Sequence, residues 1–531
     1  MTKENQAYQS IVLMIQRGDL EEADKQWSAL PPRLQASANM LQLKGIMATQ
    51  QKQLDVAADY FKQAIKHAPG LAPLYVNLGN TYLQLEKFEQ ALDCYDRGIR
   101  LNPELAELFY NRGLALKKAE KMAEALKSFK KAVKKKPAYA EAWNELALAC
   151  FEQGDWDLAE EAADQALRLD SGRIHPWLVK ANVALAGARP VVAERCFVRV
   201  LELDQRQPEA LVGLSMLQLG EQNFEEGWRH YHARWMSSAR ASIGGITRTA
   251  NARYEPGKGY RRVLVWSEQG VGDDVFFVNM LAALGSWGPE LLVSVDPRLL
   301  EIMKRSVPGV AFLSKREVVA EEQFDAHLPM GDLGLYLNSR EVIAKRAQTA
   351  GFLQSQSEKQ RELRQRLAFL KPGEKLCGIS WRSKAEKIGA GKSLELEQLL
   401  PVLSLPGYVF INLQYGAVSE EIARFQAQHG ITVHQLEELD LYDDIEGLST
   451  LIGLCDAVVT VSNVTAHLSG ALGQRTCLLR SSSYRTAIWY WRNALNDHNL
   501  WYPSVETMVQ SKAGEWEPAV VQVRDRLEGW L

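Results

Sequence analysis

A chain of 531 residues is too long for one hydrophobic core and must divide into several domains. With 46% hydrophobic and 24% charged residues and a formal net charge of -3, it reads as a water-soluble globular protein without the basic excess of a nucleic-acid binder. Its six cysteines (94, 150, 196, 377, 455 and 477) are scattered, with no CxxC and no clustered histidine, which argues against a disulfide framework or a zinc site and for reduced cytosolic thiols.

At the N-terminus, the apolar run Ile11–Ile15 is short and gives way to Arg17 and Asp19, so no signal peptide is expected. No later run is long enough to span a membrane. A repeat then dominates. Pro69, Pro103 and Pro137 stand 34 residues apart, continued by Ser171 and Gln205. Gly45, Gly79, Gly113, Ala147, Ala181 and Ser215 keep the same spacing, as do Ala57, Ala91, Ala125, Ala159, Ala193 and Gly227. The bulky set is Phe61, Tyr95, Phe129, Phe197 and Tyr231, with Ala163 as its exception. Small residues belong where paired helices press together, an aromatic fills the gap beside them, and proline falls between helices.

This pattern resembles the tetratricopeptide repeat, carried by Tyr75-Val-Asn-Leu-Gly-Asn-Thr-Tyr82 and Ala91-Leu-Asp-Cys-Tyr95. About seven units are expected before Trp235, the first degenerate and the last atypical. The resemblance implies paired antiparallel helices in a right-handed superhelix whose concave face often holds an extended polypeptide. Asn77, Asn111 and Asn144, roughly repeat-spaced, are candidates to hydrogen-bond such a peptide, the alternative being that they cap or solvate helices. The lysines 130, 131, 134, 135 and 136 read as a solvated face, or else as a patch for an acidic partner.

Ser237–Gly259 loses the repeat and gathers Gly, Ser, Thr and Asn, as a connector would. Strand-like Arg262–Trp266 leads into Ser-Glu-Gln-Gly-Val-Gly-Asp-Asp (267–274) and a helical pattern through Leu284. Gly270 and Gly272, at a strand-to-helix turn, let backbone approach a ligand closely. Further strands are expected at Leu291–Val295, Val310–Leu313 and Ala326–Pro329. A charged helix at Glu358–Leu370 and the Lys-Pro-Gly turn at 371–373 mark a boundary.

A second strand series follows at Leu376–Trp381, Tyr408–Leu413, Ile431–His434, Ala457–Val461 and Thr476–Leu479. Polar residues trail these strands: Arg382, Ser383 and Lys384; Gln414 and Tyr415; Ser462 to Thr465; Arg480 to Tyr484. In an α/β sheet, ligands sit at the carboxyl ends of strands, where helix N-termini favour anions. The segment Ala457–Gly473, a buried strand, a polar turn and a helix start, fits that pattern; the alternative is an ordinary capped helix. Trp516–Leu531 reads as an amphipathic helix able to pack across the lobes.

Six motifs in order, Trp266 to Asp273, Gly378-Ile-Ser-Trp381, Lys392-Ser-Leu394, Asn412-Leu-Gln414, Val461 to Gly473 and Trp501-Tyr-Pro-Ser504, together resemble tetratricopeptide-repeat glycosyltransferases with a heptosyltransferase-like catalytic half. That group includes flagellin-modifying transferases. The resemblance implies an α plus α/β multidomain chain: repeat solenoid 1–236, linker 237–258, then a GT-B fold of two Rossmann-like lobes, an acceptor-side lobe at 259–370 and a nucleotide-sugar lobe at 371–531.

It further implies a cytoplasmic, metal-independent protein O-glycosyltransferase that recruits an acceptor polypeptide, flagellin being the expected one, and glycosylates its Ser or Thr. Lys392 and Arg382 would clamp the leaving phosphate, Ser462, Asn463 and Thr465 cradle it, and Gln414 and Tyr415 face the nucleoside. His467 matches a histidine of the heptosyltransferase-like pattern and is a candidate for phosphate or sugar contact, or else a core residue. Asp273 is the candidate base, with Asp274 and Glu268 as neighbours not set aside; a helix N-cap is the alternative for Asp273. Where that pattern has an acidic residue and Thr-Gly, this chain has Ser462, Asn463 and Val464, which points away from heptose and toward another donor, such as a CMP-nonulosonate or a UDP-sugar. No cofactor, nucleic acid or membrane span is expected. The rival readings are a transferase acting on a surface polysaccharide or lipid-linked glycan, and a non-catalytic repeat adaptor.

Overall fold

The computed structural model describes residues 3–236, 251–284, 288–349, 351–384 and 389–531. Residues 237–250 of the expected connector lie outside them. The chain falls into two compact units, Met1–Val183 and Ala184–Leu531. Along the sequence, a helical repeat is followed by one parallel and one mostly parallel sheet, an α plus α/β architecture.

Seven helix pairs run in order among the described residues, beginning with Lys3–Arg17 and Leu20–Ser28 and ending with Pro208–Gly220 and Phe224–Tyr231. Steric contact explains the small-residue series. A Cβ added at Gly45, Gly79 or Gly113 would stand 2.6, 2.5 or 2.5 Å from the rings of Phe61, Tyr95 or Phe129, closer than carbons can sit. Where Ala163 replaces the aromatic, the facing position is no longer glycine but Ala147, and both are fully buried. A second period lies in the backbone. Gly18, Lys52, Glu86, Glu120, Gly154, Ala188 and Gln222 all have positive φ, between 54° and 84°, at the turn joining the two helices of each pair.

In the second unit the last helices pack onto the α/β region. Trp228 lies edge-on to Trp489 at 5.2 Å, donates its indole N–H to Ser339 Oγ at 2.9 Å, and fits over Gly334, whose added Cβ would meet the indole at 2.0 Å. Arg234, 1% exposed, holds Glu268 through two hydrogen bonds and Asp332 through a third. Removing one partner of such a buried set leaves an uncompensated charge. Glu268 therefore anchors the last repeat to the first sheet. It also accepts from the Gly331 N–H at 2.8 Å.

The first sheet has strands β1 (Ala252–Arg253), β2 (Arg262–Trp266), β3 (Glu290–Val295), β4 (Ala311–Ser314) and β5 (Ala326–Pro329), all parallel in the order β1-β5-β2-β3-β4. The expected connector thus contributes an edge strand. Two residues are too few to give a periodic signal. The second sheet has β6 (Lys375–Ser380), β7 (Tyr408–Asn412), β8 (Val433–His434), β9 (Ala457–Val461), β10 (Thr476–Arg480), β11 (Ala494–Leu495), β12 (His498–Asn499) and β13 (Val505–Val509). Their order is β11-β12-β13-β10-β9-β6-β7-β8, parallel from β13 to β8 with an antiparallel hairpin at the edge. β9 is buried along its whole length, as its β-branched run requires. The C-terminal helix, Glu517–Glu528, packs Ala519, Val520, Val523 and Leu527 into the core of the second sheet. The expected packing across both lobes is corrected: one apolar stripe covers one sheet.

Candidate functional site

β2 and β9 each run into a helix at their carboxyl ends, Val271–Leu284 from the first sheet and Val464–Leu472 from the second. The two helices meet at their first turns. A Cβ at Gly272 would lie 2.7 Å from His467 Cδ2, so only glycine permits this approach. Gly272 sits inside the helix, and neither it nor Gly270 has positive φ. Their value is lack of bulk, not turn geometry. Between the helices lies a cavity of about 290 Å³ lined by Gly270, Gly272, Asp273, Lys392, Ser462, Asn463, His467 and Tyr490, among others. Two helix N-termini facing one cavity concentrate free N–H groups and partial positive charge there.

A chain of hydrogen bonds crosses this wall. Tyr502 Oη lies 3.2 Å from His467 Nδ1, His467 Nε2 lies 3.2 Å from Tyr490 Oη, and Tyr490 donates to Asp273 Oδ1 at 3.3 Å. An ionised Asp273 accepts only, which fixes the order: Tyr502 donates to Nδ1, Nε2–H donates to Tyr490, and Tyr490 donates to the carboxylate. Burial raises the Asp273 carboxyl above the ordinary range, and the Gly270 N–H, Tyr490 hydroxyl and Lys392 charge pull it partly back. Burial, reinforced by Lys392, drops His467 to about 3, so its imidazole is neutral at pH 7. His467 is thus no phosphate-binding cation; it orients Tyr490.

Lys392 is 3% exposed, and among the described residues no side-chain hydrogen bond or ion pair reaches it. Burial lowers its ammonium to about 8, with Asp273 drawing it upward. A buried cation without a bonded counter-ion, beside two helix N-termini, is built to receive an anion. A second cavity, about 580 Å³, shares Tyr415, Leu441 and Tyr442 with the first and lies at the carboxyl end of β7.

The expected site residues divide accordingly. Asp273, Gly270, Gly272, Lys392, Ser462, Asn463, His467 and Tyr415 line the 290 Å³ cavity. Arg382 does not: it pairs with Glu395 at 2.6 Å and Glu421 at 2.7 Å, which corrects its assignment as a clamp. Gln414 lines the larger cavity but is committed. Its Oε1 accepts from Ser380 Oγ and from the Trp381 and Arg382 N–H groups, and its amide donates to Tyr415 O. Asn463 caps the helix through Ala466 N and donates to Ser380 Oγ and Arg382 O, so it shapes the loop. Thr465 is fully buried and outside the cavity wall. Asp274 turns inward, accepting from Ser267 Oγ at 2.6 Å and Asp296 N at 2.9 Å; burial raises it to about 7. Glu268 is the anchor described above. Both are corrected from alternative candidates for the base, in the loop of the acceptor-side lobe, to structural residues, because each spends its carboxylate on the frame of the first sheet.

Tyr490, Arg298 and Tyr442 escaped sequence reading. Tyr490 sits in the run Trp489-Tyr490-Trp491, which has the composition of core. Tyr490→Phe is expected to lower turnover about tenfold, the effect of one net hydrogen bond. It should also move the acid limb of the pH–rate profile upward, since the lost bond lowers the Asp273 pKa. An unmoved limb in the pH–kcat/KM profile would contradict the chain.

On the repeats, Asn77 and Asn144 are partly buried and Asn111 is 8% exposed. The Asn111 amide nitrogen and the Asn144 carbonyl oxygen have no hydrogen-bond partner. Among the described residues no group of three or more His, Cys, Asp or Glu is placed to hold a metal, and no helix is long and apolar enough to cross a membrane. All six cysteines are free and buried.

Comparison with known proteins matches residues 79–120 to the TPR repeat and residues 110–174 to the tetratricopeptide repeat. Protein FlbA of Caulobacter vibrioides (strain ATCC 19089 / CIP 103742 / CB 15) is 29% identical over 418 residues, a match covering 72% of this chain and 66% of that protein's length. Among solved structures, Pseudomonas aeruginosa pilF is 17% identical with a TM-score of 0.36, over 39% of this chain and 94% of that one. YrrB, a TPR protein with an unusual peptide-binding site, is 20% identical with a TM-score of 0.30, over 33% and 90%. The chain thus carries tetratricopeptide repeats in its helical half and is similar in sequence to Protein FlbA.

Proposed function

We propose that this chain is a cytoplasmic protein O-glycosyltransferase of GT-B plan, moving a sugar from a nucleotide-sugar to a Ser or Thr of a polypeptide held by its repeats. One observation carries the reading: Lys392, buried and without a bonded counter-ion, faces Asp273 across a cavity where helix N-termini from the two sheets converge. Lys392, Ser462 and the first-turn N–H groups of Val464–Leu472 stabilise the leaving phosphate. Asp273, made more basic by burial, takes the acceptor hydroxyl proton as that oxygen attacks the anomeric carbon. Tyr490 and His467 hold the carboxylate in place.

The repeats support a protein-binding role, and the unpartnered amide atoms of Asn111 and Asn144 suit an extended backbone. Flagellin is the acceptor favoured by the likeness of the layout to flagellin-modifying transferases. The test is mass spectrometry of candidate acceptors after incubation with nucleotide-sugars and either the wild-type protein or an Asn77→Ala, Asn111→Ala, Asn144→Ala triple variant. Added sugar mass on Ser or Thr, reduced in the variant while donor hydrolysis persists, supports the reading. Donor turnover without protein modification moves the acceptor to a glycan, and no turnover leaves an adaptor.

A further inference from the structure

The carboxyl end of β10 carries a feature that the proposed reaction does not use. β10 lies beside β9 with Leu479 opposite Val461, so Arg480 leaves the sheet next to Ser462, one strand spacing away. The loop that follows runs past Thr486, whose Cγ2 would stand 3.0 Å from a Cβ on Gly391, the residue before Lys392. It ends at Ile488 and Tyr490 in the cavity wall. Two arginines flank this loop. Arg492 stacks on the Tyr484 ring at 4.2 Å and donates to Met216 O, while its Nε and Nη1 have no partner. Arg480 donates to Ser481 O at 3.2 Å, and its Nε is likewise unpartnered.

No carboxylate forms an ion pair with either among the described residues, unlike Arg234, which holds two. Burial lowers both guanidinium groups; Tyr484 draws both partly back, and on Arg492 the Arg480 charge adds a downward and Glu221 an upward pull. Two like charges, mostly desolvated and short of acceptors, flank the loop that leaves the carboxyl end of β10 and lack an anion. The guanidinium fork suits a planar or tetrahedral oxyanion.

We infer that Arg480 and Arg492 form a second oxyanion subsite for the donor, beyond the phosphate held at Lys392. It receives either the carboxylate of an acidic sugar on a nucleoside monophosphate or the second phosphate of a nucleoside diphosphate. The inference rests on the proposed reading of the Lys392 cavity as the donor site. It extends that reading to the class of donor.

Arg492, with Asn493, holds the carbonyls at the end of helix Pro208–Gly220, so Arg480 is the residue to vary. Isothermal titration of the full chain compares CMP with CMP-N-acetylneuraminate and UMP with UDP, in wild type, Arg480→Gln and Arg480→Lys. The wild type is expected to gain at least tenfold in affinity from the extra anion in one pair. That pair names the source. Arg480→Gln should remove the gain and leave the monophosphate affinity unchanged, and Arg480→Lys, with charge but no fork, should keep part of it. An undiminished gain in the variants, no gain in the wild type, or equal weakening of mono- and dianionic ligands overturns the subsite. So does unchanged donor binding with a raised KM for the acceptor protein, which would place the anion on the acceptor. If the wild type binds no nucleotide at all, the proposed function falls as well.

Discussion

Asp273→Asn is expected to cut sugar transfer by about 10²–10⁴-fold, the range for a lost general base, while the nucleotide dissociation constant changes little. The asparagine has nearly the same shape and can still accept from Tyr490, so the helix start and cavity wall persist. Only the proton acceptor disappears. The pH profile adds a second readout. Burial places the Asp273 carboxyl above the ordinary carboxylate range, so the base is lost as pH falls through that raised value. The wild-type kcat/KM should therefore fall on the acid side earlier than an exposed aspartate would allow. Residual activity in Asp273→Asn should lack that limb. Full turnover in the variant would remove Asp273 as the base.

Lys392→Ala should weaken nucleotide binding by about 10–100-fold, the loss of a charge-assisted hydrogen bond in a desolvated site. The sign of its pH dependence follows from burial. With the free ammonium lowered to about 8, the cation is lost as pH rises past that value, and nucleotide affinity falls with it. A bound phosphate restores the charge, so binding near pH 8 takes up protons, measurable by calorimetry in buffers of different ionisation enthalpy. Lys392→Arg, charged throughout, should flatten the alkaline limb. Equal affinities at pH 7 and pH 9.5 in the wild type would count against Lys392 as the phosphate ligand.

How far the sequence reveals this depends on whether a residue's partner is local. The glycine and aromatic series is legible because Gly79 needs Tyr95 one helix away, as Gly45 needs Phe61 and Gly113 needs Phe129. The backbone series at 18, 52, 86, 120, 154, 188 and 222 is not, because glycine occupies only Gly18 and Gly154 while Lys, Glu, Ala and Gln bear the same φ elsewhere. Central strands such as β9 announce themselves by apolar runs. β13 does not: Glu506 is buried within it, paired with Arg526 at 2.7 Å.

The same distinction runs through the site. Ser462 follows a strand directly and Asp273 a strand-to-helix turn, while Lys392 stands out only through the motif resemblance; all three line the cavity. Arg382, Gln414, Asp274 and Glu268 occupy equivalent places and are spent elsewhere. Arg382 is held by Glu395 and Glu421, and Glu268 by Arg234 on the last repeat. Which polar residue is free depends on such distant partners. Tyr490, by contrast, is an aromatic among tryptophans that lines the cavity and whose hydroxyl donates to Asp273.

The most direct measurement is a thermal-shift panel of the intact protein with UDP, GDP, ADP, CMP and their common sugar conjugates, in wild type and Lys392→Ala. A ligand bound only by the folded state raises the melting temperature with its concentration over its dissociation constant. A concentration-dependent rise with one nucleotide class, lost in Lys392→Ala, is the predicted result. Absence of any shift at millimolar ligand, or a shift untouched by the substitution, would contradict a donor site built on Lys392.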